Sequence, residues 1–155
     1  MAKEFIAQIE EWVTKVEKIQ NAVVSTATTE LLAGIDIVSG KTRGGNPQKG
    51  QIPRDLGALA GSLQSSLYGS TSITQIGKES HVLVAGSMEA GDVAEFVWGG
   101  TDAPYARRIH YGFSGEDSLG RKYNQPGLFW VDEAANKWQG YIDDATRRAK
   151  AEITG

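Results

Sequence analysis

The sequence predicts an α+β fold: a long N-terminal helix, a short second helix, a small antiparallel sheet of three to four strands, and a long C-terminal helix. Three observations predict it. Apolar residues recur at helical spacing over residues 3–35. Near residue 68 the pattern changes to short runs rich in β-formers, separated by turn residues. Near residue 126 it changes back to helical spacing.

In the first segment Phe5, Ile9, Trp12, Val16, Ile19 and Val23 are spaced four, three, four, three, four, and Ala27 and Leu31 continue the stripe. Ile6 and Val13 broaden it, so the helix is expected to pack on more than one surface. At 1.5 Å per residue it would be about 50 Å long, longer than a small domain is wide, and part of it is expected to project or be shared with a neighbouring subunit. Gly34 is the expected stop. Residues 36–54 read as a flexible basic loop: Ser39 to Gln51 contains no large apolar side chain, and Lys41, Arg43, Lys49 and Arg54 face only Asp36. Gly40-Lys41-Thr42 is not a phosphate-binding loop, because the required preceding glycine is replaced by Ile35.

Asp55 then reads as the cap of a short helix whose Leu56, Leu59, Leu63 and Leu67 share one face. Ile73, the run from His81 to Ala85, and the run from Val93 to Trp98 read as three strands of an antiparallel meander, with His81 a solvated edge residue. Pro104 opens a short helical segment that carries Tyr105, Ala106, Ile109 and Tyr111 and ends at Gly112. Ser114 to Asn124 reads as a polar loop. The last helix is expected over 126–152, seated by Phe129 and Trp130, with Val131, Ala134, Trp138, Ile142, Ala145 and Ala149 on one face. Tyr105 and Trp130 are both expected to be buried where these segments meet.

The length of 155 residues fits one domain, spanning 1–155, with 55–125 carrying the short helix, the sheet and the Tyr-Gly turn. There is no cysteine, which excludes disulfides and thiol chemistry, and the N-terminus lacks a secretory signal pattern. A net charge of −3 argues against a dedicated nucleic-acid binder. No catalytic set emerges. His81 and His110 lack a nucleophile-elbow partner, two histidines without ligand-spaced carboxylates make a poor metal site, and the adjacent Asp143 and Asp144 point about 100° apart. No enzyme activity and no cofactor are expected.

Three short motifs occur in order. Pro53, Asp55, Gly57 and Leu59 form Pro-x-Asp-x-Gly-x-Leu. Tyr105, Ala106, Ile109, Tyr111 and Gly112 form a Tyr-Ala…Tyr-Gly element, and Pro126, Phe129 and Ala134 open the last helix. Together they resemble the neck and tail-completion proteins of long-tailed bacteriophages over about residues 53–150. The chain departs from that pattern at Leu56, where the family has threonine, and at His110, where it has an acid. It also inserts Gly127-Leu128 and lacks a second proline. The resemblance implies a structural virion protein, assembled in the host cytoplasm, forming a homo-oligomeric ring between head connector and tail. Sixfold symmetry is favoured, with DNA only in transit and no membrane. The alternatives are a tail-terminator or tail-tube subunit, or an unrelated small cytosolic binding module. Lys41, Arg43 and Lys49 are candidate contacts to an acidic neighbouring protein, since tight phosphate contacts would hinder DNA sliding through a channel.

Overall fold

The computed structural model describes residues 2–35, 38–41, 49–54, 58–101 and 103–154. Helix α1 spans Ala2–Ile35, as the stripe and Gly34 predict. Its two halves differ. Apolar side chains in the C-terminal half are covered, with Ala27, Leu32 and Ile35 buried, whereas residues 2–15 are exposed throughout. The covered half lies against the last helix, α6 (Trp138–Thr154). Gly34 permits the contact: a Cβ there would stand 2.8 Å from the Tyr141 hydroxyl. Arg148 of α6 pairs with Glu30 of α1 at 2.7 Å.

The stretch expected as a loop contains two short parallel strands, β1 (Val38–Lys41) and β2 (Ile52–Arg54). Ile52 is wholly buried in the core and anchors the second. One apolar residue fixes this strand, too few for a period to register. Helix α2 is only Ala58–Gly61. Leu63 and Leu67, expected on its face, are buried beyond it, and Leu67 lies in strand β3 (Gln64–Tyr68). Spacings of four residues suit an alternating strand face as well as a helix, so the leucines alone do not decide.

The main sheet is antiparallel with order β4-β3-β5, where β4 is Ile73–Ile76 and β5 is Val93–Val97. It is not the expected meander, because residues 81–85 form helix α3 (Ser80–Gly86) instead of a strand. Ser80, His81, Val84 and Ala85 are buried while Val82 and Leu83 are exposed, a helical repeat hidden inside a continuous apolar run. His81 is therefore a core residue, not a solvated edge one. Pairing register divides the sheet into two faces. Ser65, Leu67, Ile73, Ala94 and Phe96 point toward α3, and Ser65 Oγ lies 2.7 Å from Ser80 Oγ. Gln64, Ser66, Tyr68, Thr74, Ile76, Val93, Glu95 and Val97 form the outer face.

Helix α4 (Ala106–Tyr111) leads directly into a hairpin of β6 (Gly112–Glu116) and β7 (Lys122–Pro126), where a loop was expected. Asp117 builds its turn by accepting from the Leu119 and Arg121 amides, each at 2.9 Å. Phe113 and Tyr123 pack across it. The expected helix over 126–152 starts only at Trp130 and is broken. Pro126 ends β7 and Phe129 takes a left-handed φ of 47°, so α5 covers Trp130–Ala135. A tightened turn at Asn136-Lys137 precedes α6, with the Lys137 amide donating to the Ala134 carbonyl. That turn shifts the register, which leaves Trp138 39% exposed while Ala134, Ala145 and Ala149 stay buried.

Candidate functional site

The described residues of the second and third motifs meet at the junction of α4, β7 and α5, and Pro53 of the first motif borders it. Short α4 cannot satisfy its own last carbonyls. The chain after β7 does so: the Leu128 amide donates to the Ile109 carbonyl at 3.2 Å and the Phe129 amide to that of His110 at 3.0 Å. The Leu128 carbonyl in turn accepts from the Gly50 amide at 2.6 Å, tying in the segment before β2. Gly112 and Gly127 make this approach possible. Gly112 has φ 88°, and a Cβ there would stand 2.7 Å from the Gly127 nitrogen.

An aromatic cluster fills the junction. His110 meets Trp130 edge-on at 4.7 Å, Phe129 at 5.6 Å and Tyr111 at 4.5 Å. Trp130 is 2% exposed, as expected for the anchor of the last helical segment. Tyr105, expected to be buried, is 43% exposed, and Tyr111 is exposed as well. Ala103 and Ala106 take the inward positions on either side of the Pro104-Tyr105 turn. In the sequence His110 stands out as a histidine without a catalytic or metal partner and in a position where the resembled motif has an acid, yet it sits at the centre of the cluster. Asp55, Gly57 and Arg43 lie outside the described residues; Leu59 is buried in the core near Ala60 and Ile52.

Two clefts flank the junction. One, of about 300 Å³, runs between Pro53, Arg108, Pro126 and Leu128, so the first and third motifs share a wall. The other, of about 250 Å³, is lined by Trp98, Arg107, His110, Trp130 and Asp132. Trp98, just past the end of β5, packs half-buried on the core, and the Gly99 amide donates to Ser62 Oγ. Among the described residues no group of three or more His, Asp or Glu side chains could hold a metal ion. No helix among them is long and apolar enough to cross a membrane.

No protein-family model, curated protein or solved structure matches this chain. The junction must therefore be read from its own chemistry.

The Val131 amide donates to His110 Nε2 at 3.4 Å, which places the proton of the neutral ring on Nδ1, a buried atom with no hydrogen-bond partner among the described residues. Burial pushes the His110 pKa below its ordinary 6.5, against a smaller opposing pull from the Asp132 carboxylate. Burial also lowers that of His81. A base with a depressed folded pKa contributes stability above its unfolded pKa, and that stability is lost as pH falls toward the folded value. Stability measured by denaturant titration is thus expected to decline as pH drops from 6.5 toward 5, and His110→Gln is expected to shallow that decline. A His110→Gln profile parallel to wild type would remove His110 as a source. Asp92 and Asp117, whose pKa values are lowered chiefly by hydrogen bonds from the Ser70 and Arg121 backbone amides respectively, act in a separate window, below their ordinary 3.8.

Of the candidate partner contacts, Lys49 already pairs with Glu133 of the same chain at 3.0 Å. Both side chains are largely exposed, so Lys49→Ser is expected to change unfolding free energy by less than about 1 kcal/mol. A larger loss in a urea melt would make this contact part of the fold and not a replaceable surface pair. Lys41 belongs to β1.

Proposed function

We propose that this chain is a structural, non-catalytic subunit of a phage head–tail connector, a neck or tail-completion protein that forms a homo-oligomeric ring. The ring, sixfold in the favoured reading, joins the head connector to the tail and lets DNA pass. The observation that carries this reading is the uncovered half of α1. Phe5, Ile9 and Trp12 continue the same stripe that the C-terminal half buries, and they are 63%, 46% and 64% exposed. A helix patterned for burial along its length but covered over only half of it suits a subunit that neighbours complete. The order of the three motifs, and the meeting of the second and third at one junction beside Pro53, supports the neck over other assemblies. The basic segment carrying Lys41, Arg43 and Lys49 would meet carboxylates of an adjacent connector protein.

Antibody labelling of the chain in purified long-tailed phage particles tests the position. Label at the head–tail junction is expected. Label repeated along the tail would favour a tail-tube subunit, label confined to the top of isolated tails a tail terminator, and a chain absent from particles a cytosolic binding module. Changing Lys41, Arg43 and Lys49 together to serine is expected to leave the fold intact and to yield filled heads and free tails. Normal joining in that variant would remove the basic segment from the interface.

A further inference from the structure

The fold leaves a second surface uncovered besides the α1 stripe, apolar on either side of a central polar row of Thr74, Ser66 and Glu95. On the outer face of the main sheet Tyr68 is 52%, Ile76 77%, Val93 63% and Val97 48% exposed. The chain cannot bring its own two surfaces together. The C-terminal half of α1 is held on α3, which covers the opposite face of the sheet, and α1 is one unbroken helix. Asn21 and Ser25 fix its course further by contacts to the Ala90 amide and the Gly86 carbonyl.

The two surfaces match in size. Phe5 to Val13 covers about 12 Å of helix, and Val93 to Val97 about 13 Å of strand. Three strands present a width of about 10 Å, close to the diameter of one helix. With roughly half of each large side chain exposed, the two surfaces together offer on the order of 1,000 Å², the threshold for a specific interface before any rim is counted. Glu95 stands between Val93 and Val97 on the edge strand β5, where its carboxylate can stay at the rim. A twofold α1–α1 pairing would cover the helix stripe and leave the sheet face wet. A head-to-tail contact covers both and is the kind that closes into a ring.

We propose that the exposed stripe of α1 on one copy packs across the outer sheet face of the next copy. This names the contact within the ring proposed above and rests on that reading of the chain as a self-assembling subunit. It commits to helix on sheet, with Trp12 and Phe5 as the anchors that the sheet face receives.

The sequence has no cysteine, so introduced thiols report position cleanly. Full-length Ile9→Cys and Val97→Cys chains, mixed and mildly oxidised, are expected to give mainly the mixed disulfide dimer, and the double variant a ladder of multimers. Trp12→Ala is expected to weaken self-association about a hundredfold by sedimentation, as loss of a central interface aromatic does, with its melting temperature unchanged. Bridges chiefly between two Ile9→Cys chains would overturn the proposal in favour of paired helices. Bridges between two Val97→Cys chains, or no bridges at all, would overturn it too. Rings seen by native mass spectrometry without the mixed bridge would sink this contact and leave the ring standing. A mixed bridge in a chain missing from phage particles would sink the connector role and leave the contact.

Discussion

Replacing Trp130 by alanine is expected to lower the stability of the chain by about 3–5 kcal/mol, the range for truncating a buried aromatic. Trp130 is 2% exposed, packs edge-on against His110 at 4.7 Å, and belongs to the same core as Leu32, Ile52 and Leu128. Its loss opens a cavity at the one place where α4, the end of β7 and α5 meet, and three backbone hydrogen bonds there hold short segments with little helical stability of their own. For a chain of this size the corresponding fall in melting temperature is on the order of 10 °C. Trp130→Phe should lose clearly less, since it keeps a ring and removes an indole N–H that has no partner among the described residues. Trp138→Ala, at a site 39% exposed, supplies the comparison and should cost well under half as much. Equal melting curves for Trp130→Ala and wild type would show that the aromatic cluster does not hold the junction.

Where the sequence was legible, one strong period did the work. The four-three-four-three-four spacing gave α1 and its end near Gly34, and it also announced that the helix was too long for the body behind it. Where elements went astray, the local pattern was degenerate. Val82 to Ala85 is apolar without interruption and so carries no period, and only burial of residues 80, 81, 84 and 85 reveals α3. Leu67 suited a helix face and a strand face equally, until pairing with β4 and β5 decided it. The β6–β7 hairpin has almost no apolar alternation to read, because its turn is held by the Asp117 carboxylate and one end by the junction. The junction itself was legible as a set of motif residues but not as a place. Nothing local says that Gly50 reaches Leu128, or that Pro53 and Pro126 share a wall. Tyr105 shows the same limit. Its residue type suggested the interior, but it occupies the turn before α4, and the neighbouring alanines face inward.

A glycine-to-alanine change at residue 112 is expected to be as informative as the loss of the tryptophan, because it adds one methyl group and removes nothing. Gly112 ends α4 with φ 88° and ψ 165°, a region open essentially to glycine alone. Holding alanine there costs about 1–3 kcal/mol before any contact is considered. Contacts then add to it, since the methyl carbon would stand 2.7 Å from the Gly127 nitrogen and 2.8 Å from the Gln125 carbonyl oxygen. Both are backbone atoms of the strand end that caps α4, so neither can move aside without breaking the hydrogen bonds from Leu128 and Phe129. Gly140 offers the same chemical change in the opposite setting. It lies inside α6, and a Cβ there meets nothing within 4 Å. Gly140→Ala should therefore raise stability by about 0.5–1 kcal/mol through helix propensity and a less disordered unfolded chain. The two variants are expected to move the urea midpoint in opposite directions, with Gly112→Ala losing at least about 3 kcal/mol. If Gly112→Ala melts as late as Gly140→Ala, the close approach of residues 125–127 to the end of α4 is wrong, and the Tyr-Gly element needs another explanation.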